Sequence, residues 1–190
     1  MRLLRICSLA LAAALVSAAC ADVADDGAAE ASSTSAPTRP EPTSGPIGDG
    51  AVQTAEPSGP WDLVLTDVEV SSRGAGDRLV LTFAGSGRPG WSVGPVDRPA
   101  QDGSGDLVRL DGDSYLDVYA SGTVLPAADD ARAYRVPARI APSRGRVAEV
   151  NLVGTFEGYT QVLVGLTGEA PDVDVTALAR PPRLVVDLGG

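Results

Sequence analysis

The chain has 190 residues, with 15 arginines, no lysine, no histidine, 25 acidic residues and a net charge of −10. This balance argues against nucleic acid as a partner, because phosphate binding requires clustered positive charge. The absence of histidine removes the usual general base at neutral pH and the commonest metal ligand. We therefore expect no cofactor and no metal site.

Residues 1–19 have the three-part layout of a secretory signal peptide. Arg2 and Arg5 give a positive start, residues 6–14 form an apolar run, and small residues follow. The run is shorter than the roughly 20 residues that a transmembrane helix needs. The pattern predicts an exported protein from which this segment is removed.

The end of this segment, VSAAC, resembles the lipobox of bacterial lipoproteins, in which the cysteine is diacylated and becomes the mature N-terminus. Ser17 stands where that motif usually has leucine. Cys7 would leave with the signal peptide, so Cys20 would have no disulfide partner. We expect lipidation of Cys20, for example with palmitate, and anchoring to the outer face of the cytoplasmic membrane. The alternative is ordinary cleavage after Ala19 and secretion.

Residues 20–60 differ sharply in composition from the rest of the chain. They contain six prolines, seven acidic residues and one arginine, but no aromatic residue. Such a segment cannot bury enough apolar surface to offset the entropy cost of ordering it. We predict a disordered tether over 20–60 that holds the following domain away from the membrane.

Residues 61–190 contain all eight aromatic residues and show the period-two alternation of half-buried strands, as at Leu79, Leu81 and Phe83. Glycine, proline and aspartate separate the alternating runs. The pattern predicts an all-β domain, a two-sheet sandwich of short, mostly antiparallel strands. The predicted strands are 63–70, 78–83, 91–96, 106–110, 115–119, 133–140, 147–155, 160–166 and 183–188.

The domain also contains an internal sequence repeat, because residues 77–99 align with residues 160–181. Two similar β-units would each supply one hydrophobic face, so the alignment predicts a pseudo-twofold symmetry inside the sandwich. The matching positions are Arg78 with Gln161, Leu79 with Val162, Leu81 with Val164, Trp91 with Val173, Val93 with Val175, and Arg98-Pro99 with Arg180-Pro181.

The segment VNLVGTFEGYTQVLVGLTGEAPDVDVTALARPPRLVVDL, residues 150–188, resembles the AMIN-like domain of actinobacterial secreted proteins and lipoproteins. Phe156, Glu157 and Gly158 fit that family's F-E-G-x-T phrase, and residues 181–187 fit its P-P-R-L-V-V-D phrase closely. SSRGAGDRLVLTF resembles the family's early hairpin, in which an Asp-Arg pair precedes an aliphatic strand. The resemblance implies a symmetric β-sandwich of the cell envelope, in some cases a peptidoglycan-binding one.

Five residues are candidates for binding. Trp91 could stack on a sugar ring or fill a core edge. Arg98 and Arg180, which recur in both copies, could bind carboxylates of a cell-wall stem peptide, or pair with nearby acids. Tyr115 and Tyr119 share one strand face, opposite two aliphatic residues. That face is an aromatic patch for a partner if it is open, and core if a second sheet covers it.

Catalysis finds little support in the sequence. Two carboxylates facing each other across a cleft could hydrolyse glycosides, but solvated turns explain the paired acids more simply. Residues 102–113 lack the ordered ligands and terminal glutamate of a calcium loop. The paired acids are Asp111/Asp113, Asp129/Asp130 and Asp172/Asp174.

We therefore predict a non-catalytic, lipid-anchored envelope protein whose β domain binds peptidoglycan or an envelope protein. A secreted or anchored module that binds a small ligand is the alternative, and an enzyme that uses acids alone is a third hypothesis.

Overall fold

Alternating apolar residues produce strands throughout the computed structural model, which describes residues 43–45, 51–131, 134 and 138–189. None of the described residues forms a helix long and apolar enough to cross a membrane. The described strands are β1 (Thr43–Gly45), β2 (Gln53–Ala55), β3 (Val64–Arg73), β4 (Gly76–Ala84), β5 (Gly90–Pro95), β6 (Ser114–Ser121), β7 (Arg139–Ile140), β8 (Val147–Phe156), β9 (Tyr159–Leu166), β10 (Val173–Ala179) and β11 (Pro182–Leu188).

The described strands form two antiparallel sheets. Sheet A has the order β1-β10-β11-β4-β3, and sheet B has the order β2-β5-β6-β9-β8-β7. The inward-facing residues of both sheets form one apolar core, in which Leu79, Leu184, Leu116 and Val162 are fully buried. The structure thus confirms the predicted all-β sandwich.

The pseudo-twofold repeat is also confirmed, and each half of the repeat contributes one hairpin to each of the two sheets. The first half contributes the β3–β4 hairpin to sheet A and the β5–β6 hairpin to sheet B, whereas the second half contributes β8–β9 to sheet B and β10–β11 to sheet A. Corresponding residues have corresponding partners, since Leu81 pairs with Leu184 and Val164 pairs with Leu116. The central ladder of each sheet therefore joins the two halves.

One irregularity also repeats, although the β8–β9 ladder has a second register shift, between Leu152 and Gly154, that the β3–β4 ladder lacks. The β3–β4 ladder shifts register between Leu65 and Asp67, and the β8–β9 ladder shifts at the equivalent place, between Val147 and Glu149. β1 and β2 extend the same symmetry, because they pair with the outer edges of the equivalent strands β10 and β5.

The ordered domain begins earlier than the sequence analysis predicts. β2 pairs with β5, and Ser58 and Arg88 exchange main-chain hydrogen bonds of 3.1 and 2.8 Å, so residues 51–60 belong to the domain and not to the tether. Pairing at a sheet edge uses main-chain groups and needs no apolar side chains, which is why composition misses it. Gly90 allows residues 51–60 to pass close to β5, because a Cβ at this position would lie 2.3 Å from the Pro57 nitrogen. Residues 1–42 and 46–50 lie outside the described residues.

Two predicted strands are also corrected. Residues 106–110 form no strand, only an isolated bridge between Leu107 and Ala100. These residues belong to the long connection 96–113, where glycine-rich turns interrupt the alternation. Of the predicted strand 133–140, only Arg139–Ile140 is a described strand, and part of the remainder lies outside the described residues.

Candidate functional site

The two halves differ most in one connection. In sheet A, β10 and β11 are joined by Arg180 and Pro181 alone, whereas in sheet B residues 96–113 join β5 to β6. This longer segment, which we call the cover loop, lies across the outer face of sheet B. Leu163 points to that face and is nevertheless fully buried. The cover loop therefore creates a site on one sheet that the symmetry-related connection cannot create on the other.

A buried carboxylate, an exposed arginine and main-chain hydrogen bonds hold the last turn of the cover loop. The carboxylate of Glu149 accepts a hydrogen bond from the Asp111 amide (2.9 Å) and forms an ion pair with Arg139. Arg139 in turn donates to the Arg109 carbonyl (2.8 Å), and the Asp113 amide donates to the Leu166 carbonyl (2.7 Å).

Nearer its start, the cover loop is fastened by one glutamine of β9. Gln161 is buried, its Nε2 donates to the Ala100 carbonyl (3.0 Å), and its Oε1 accepts from the Asp102 amide (2.9 Å). Because both ends of this amide are used, the loop is fixed in position above the strand.

A groove of about 400 Å³ opens between the cover loop and the tip of the β8–β9 hairpin. Tyr119, Phe156 and Tyr159 line it, and Phe156 and Tyr159 expose 49% and 42% of their surface. Glu157 and Gly158 have positive φ angles of 46° and 90°, as in the two-residue turns that match strand twist. This tight turn places the two exposed aromatic side chains at the groove. We call this cavity of about 400 Å³ the aromatic groove.

Two of its tyrosines form a corner. The rings of Tyr119 and Tyr159 lie 6.3 Å apart between centroids and are inclined at 88°. Edge-to-face pairs of this kind are favourable, and they leave ring faces free to contact a ligand.

A polar network lies behind the aromatic side chains. Gln161 Nε2 donates to both oxygens of Asp117 (3.1 and 3.0 Å), which also accepts a hydrogen bond from Tyr119. Burial raises the pKa of Asp117 to about 6, although these hydrogen bonds oppose the shift. Burial and the charges of Asp117 and Asp102 raise the pKa of Tyr119, which therefore stays protonated and can donate.

The raised pKa of Asp117 makes a stability prediction. The folded chain holds this proton more tightly than the unfolded chain, so the parent loses stability as the pH rises from about 4 through 6. Asp117→Asn removes that loss. Allowing for solvent screening at this half-buried position, we expect the variant to be about 1–2 kcal/mol more stable than the parent at pH 8. Urea unfolding at pH 8 and pH 4 measures the difference, which should vanish at the lower pH. An equal difference at both values would contradict the assignment.

The structure distributes the five predicted binding residues over different settings. Tyr119 lines the aromatic groove. Trp91 is only 4% exposed and belongs to the core, so its proposed role in sugar stacking is wrong and its alternative role in the core is correct. The strand alternates as predicted, but a large indole at the start of a strand gives no indication of which face it occupies. Cys20 lies outside the described residues.

Arg98 and Tyr115 lie together at a second cavity, of about 430 Å³, beside the cover loop, which Leu107 and Arg109 also line. Arg98 is exposed there, and Tyr115 donates to the Gly112 carbonyl (3.0 Å). Arg180 is exposed in the turn that follows β10 of sheet A. The two arginines of the repeat therefore follow strands of different sheets.

Sequence reasoning did not assign Asp102, Asp117, Phe156, Tyr159 or Gln161 to a site. Two aromatic residues flanking a Glu-Gly pair between alternating runs is a signal for a tight hairpin with an aromatic tip, and that pattern could have identified the hairpin. The polar residues gave no comparable signal, because their role depends on where the cover loop lies.

The Asp-Arg pair of the early hairpin has a structural role. Arg78 Nε and Nη2 donate to the two oxygens of Asp187 (2.5 and 2.7 Å) directly across the β4–β11 ladder. The equivalent cross-strand position in sheet B holds Gln161 and Tyr119. Sheet A thus carries an ion pair at the position where sheet B carries the wall of the aromatic groove.

A symmetric β-sandwich with an aromatic groove on one outer face has the architecture of a binding module. The AMIN-like domain matches residues 63–189, and the chain belongs to this family. AMIN-like domains are binding modules rather than a catalytic family, and they are generally associated with peptidoglycan binding in the cell envelope. The domain therefore indicates an envelope or exported protein. No curated protein and no solved structure matches the chain. Within the described ranges, no group of three metal-binding side chains is placed to hold an ion.

Proposed function

We propose that this protein is a non-catalytic envelope protein whose aromatic groove binds peptidoglycan. The observation that best supports this proposal is the pair of exposed aromatic side chains, Phe156 and Tyr159, which a tight turn holds over the groove. Aromatic faces stack on the apolar faces of sugars, and a few placed polar groups give orientation. The carboxylate of Asp102 supplies such a group at the groove wall.

We also propose that Cys20 is lipidated and that residues 20–42 serve as the tether. The lipobox resemblance and the lone mature cysteine support the anchor, and the proline-rich acidic composition supports the tether. Labelling cells with a fatty-acid probe tests the anchor: the parent should be labelled and Cys20→Ala should not. Equal labelling of both would end this part of the proposal.

Binding to wall is tested with the mature chain, in which Cys20→Ser blocks lipidation, sedimented with purified peptidoglycan sacculi. We expect Phe156→Ala and Tyr159→Ala each to weaken binding about tenfold, because each removes an exposed aromatic face. Leu125→Ala is the matched control, since Leu125 is 75% exposed and lies outside the groove lining.

The second cavity provides the contrasting result. If Arg98→Ala abolishes sedimentation while the two aromatic variants sediment like the parent, the ligand lies at the arginine-lined cavity and the aromatic groove is not the site. If the parent itself stays in solution, the small-ligand module becomes the better hypothesis.

A further inference from the structure

The charged side chains in and directly behind the described lining of the aromatic groove are acidic. Asp102 lines it, and Asp117 lies one hydrogen bond behind Tyr119 and Gln161. The lining contains no arginine, and neither carboxylate has an arginine partner among the described residues. The two acids act on each other, because the charge of Asp102 contributes to the raised pKa of Asp117. One carboxylate therefore lines this small volume, and a second lies directly behind its wall.

The aromatic side chains strengthen the same preference. Tyr119 and Tyr159 meet at nearly a right angle, and Phe156 adds a third ring to the lining. The face of an aromatic ring attracts cations, cages of aromatic rings recognise ammonium groups, and a nearby carboxylate adds attraction for positive charge. A carboxylate or phosphate ligand would meet repulsion from Asp102 and Asp117.

We propose that the aromatic groove selects ligands that carry a protonated primary amine. The inference rests on the proposed function and narrows its ligand class. In a peptidoglycan polymer such an amine has two chemical sources: an amino sugar that lacks its N-acetyl group, or the side-chain amine of a diamino acid in a stem peptide. Acetylation of the amine removes the charge in both, so matched acetylated and free probes isolate the property on which the selection depends.

The test is isothermal titration of the mature Cys20→Ser chain with two matched probe pairs at about pH 6.5, where Asp117 is mostly ionised. One pair is the tetramer of glucosamine and the tetramer of N-acetylglucosamine. The other is Nα-acetyl-lysine amide and its Nε-acetylated form. We expect one free amine to bind at least about tenfold tighter than its acetylated match. The pair that shows the preference identifies the source of the amine.

The double variant Asp102→Asn/Asp117→Asn should reduce that preference to less than about threefold. Asp172→Asn/Asp174→Asn is the control: it makes the same change in net charge at two exposed carboxylates at the start of β10, and it should keep the preference. Equal binding of free and acetylated probes, no binding of any probe, or a preference that survives the first double variant would each overturn the inference. Sedimentation with sacculi remains a separate test, so wall binding can stand where amine selection fails.

Discussion

Replacing Gly165 with alanine is expected to destabilise the domain by about 3 kcal/mol. Gly165 lies on the outer face of β9, and the cover loop passes so close that a Cβ would lie 1.9 Å from the Asp111 carbonyl oxygen. The obstructing atom is main chain, so no side-chain rotation can relieve the overlap. The loop would have to move away from the sheet, breaking the hydrogen bond from the Asp111 amide to Glu149.

Thermal unfolding followed by circular dichroism measures this effect, which should lower the Tm by about 10 °C. Gly189→Ala is the matched control, because the nearest atom to a Cβ there is 3.4 Å away, an ordinary contact. A Gly165→Ala variant that unfolds within about 2 °C of the parent would show that the cover loop does not lie against β9 as described.

The second large effect is expected at Asp77, where alanine should cost about 3 kcal/mol. Asp77 is 2% exposed, and its Oδ2 accepts hydrogen bonds from the amides of Arg146 and Val147 (2.5 and 2.8 Å). This carboxylate fastens the start of β8, in sheet B, to β4, in sheet A. Its removal would leave two amides without partners, one of them in the core, and hydrogen bonds to charged groups are the stronger kind.

Urea unfolding of three variants separates this role from a general effect of charge. Asp77→Ala should show the full loss, and Asp77→Asn about half of it, because its amide oxygen can still accept both hydrogen bonds but without the charge that strengthens them. Glu69→Ala removes an exposed carboxylate from the neighbouring strand β3 and should change the free energy of unfolding by less than about 0.5 kcal/mol. If Asp77→Ala matches that control, the inter-sheet fastening carries no stability.

The sandwich and its repeat could be predicted because they follow from alternation. Residues such as Leu79, Leu81 and Val162 must face inward on a strand of period two, and matching positions in two segments imply matching faces. The aromatic groove could not be predicted in this way. It depends on the path of the cover loop, and main-chain contacts at Gln161 and Gly165 fix that path.

Two other differences between the structure and the sequence-based predictions also arise from features that leave no signal in the residue types. The segment around Ser58 joins the domain through main-chain bonds and a close approach to Gly90, and neither leaves a hydrophobic signal. The side chain of Trp91 is amphipathic, so its residue type suits the core and a binding surface equally, and only its position beside Ala55 and Ala120 decides for the core.

The exchange of hairpins between the sheets governs how the domain can fold. β11, the last described strand, sits between β4 and β10 in the middle of sheet A, and it joins Arg78 to a partner 109 residues away. Sheet A is therefore incomplete until β11 emerges from the ribosome, and the first half alone lacks the neighbour of β4. Such distant pairings give a high contact order and slow folding, so we expect sheet A to form only after β11 has been synthesised.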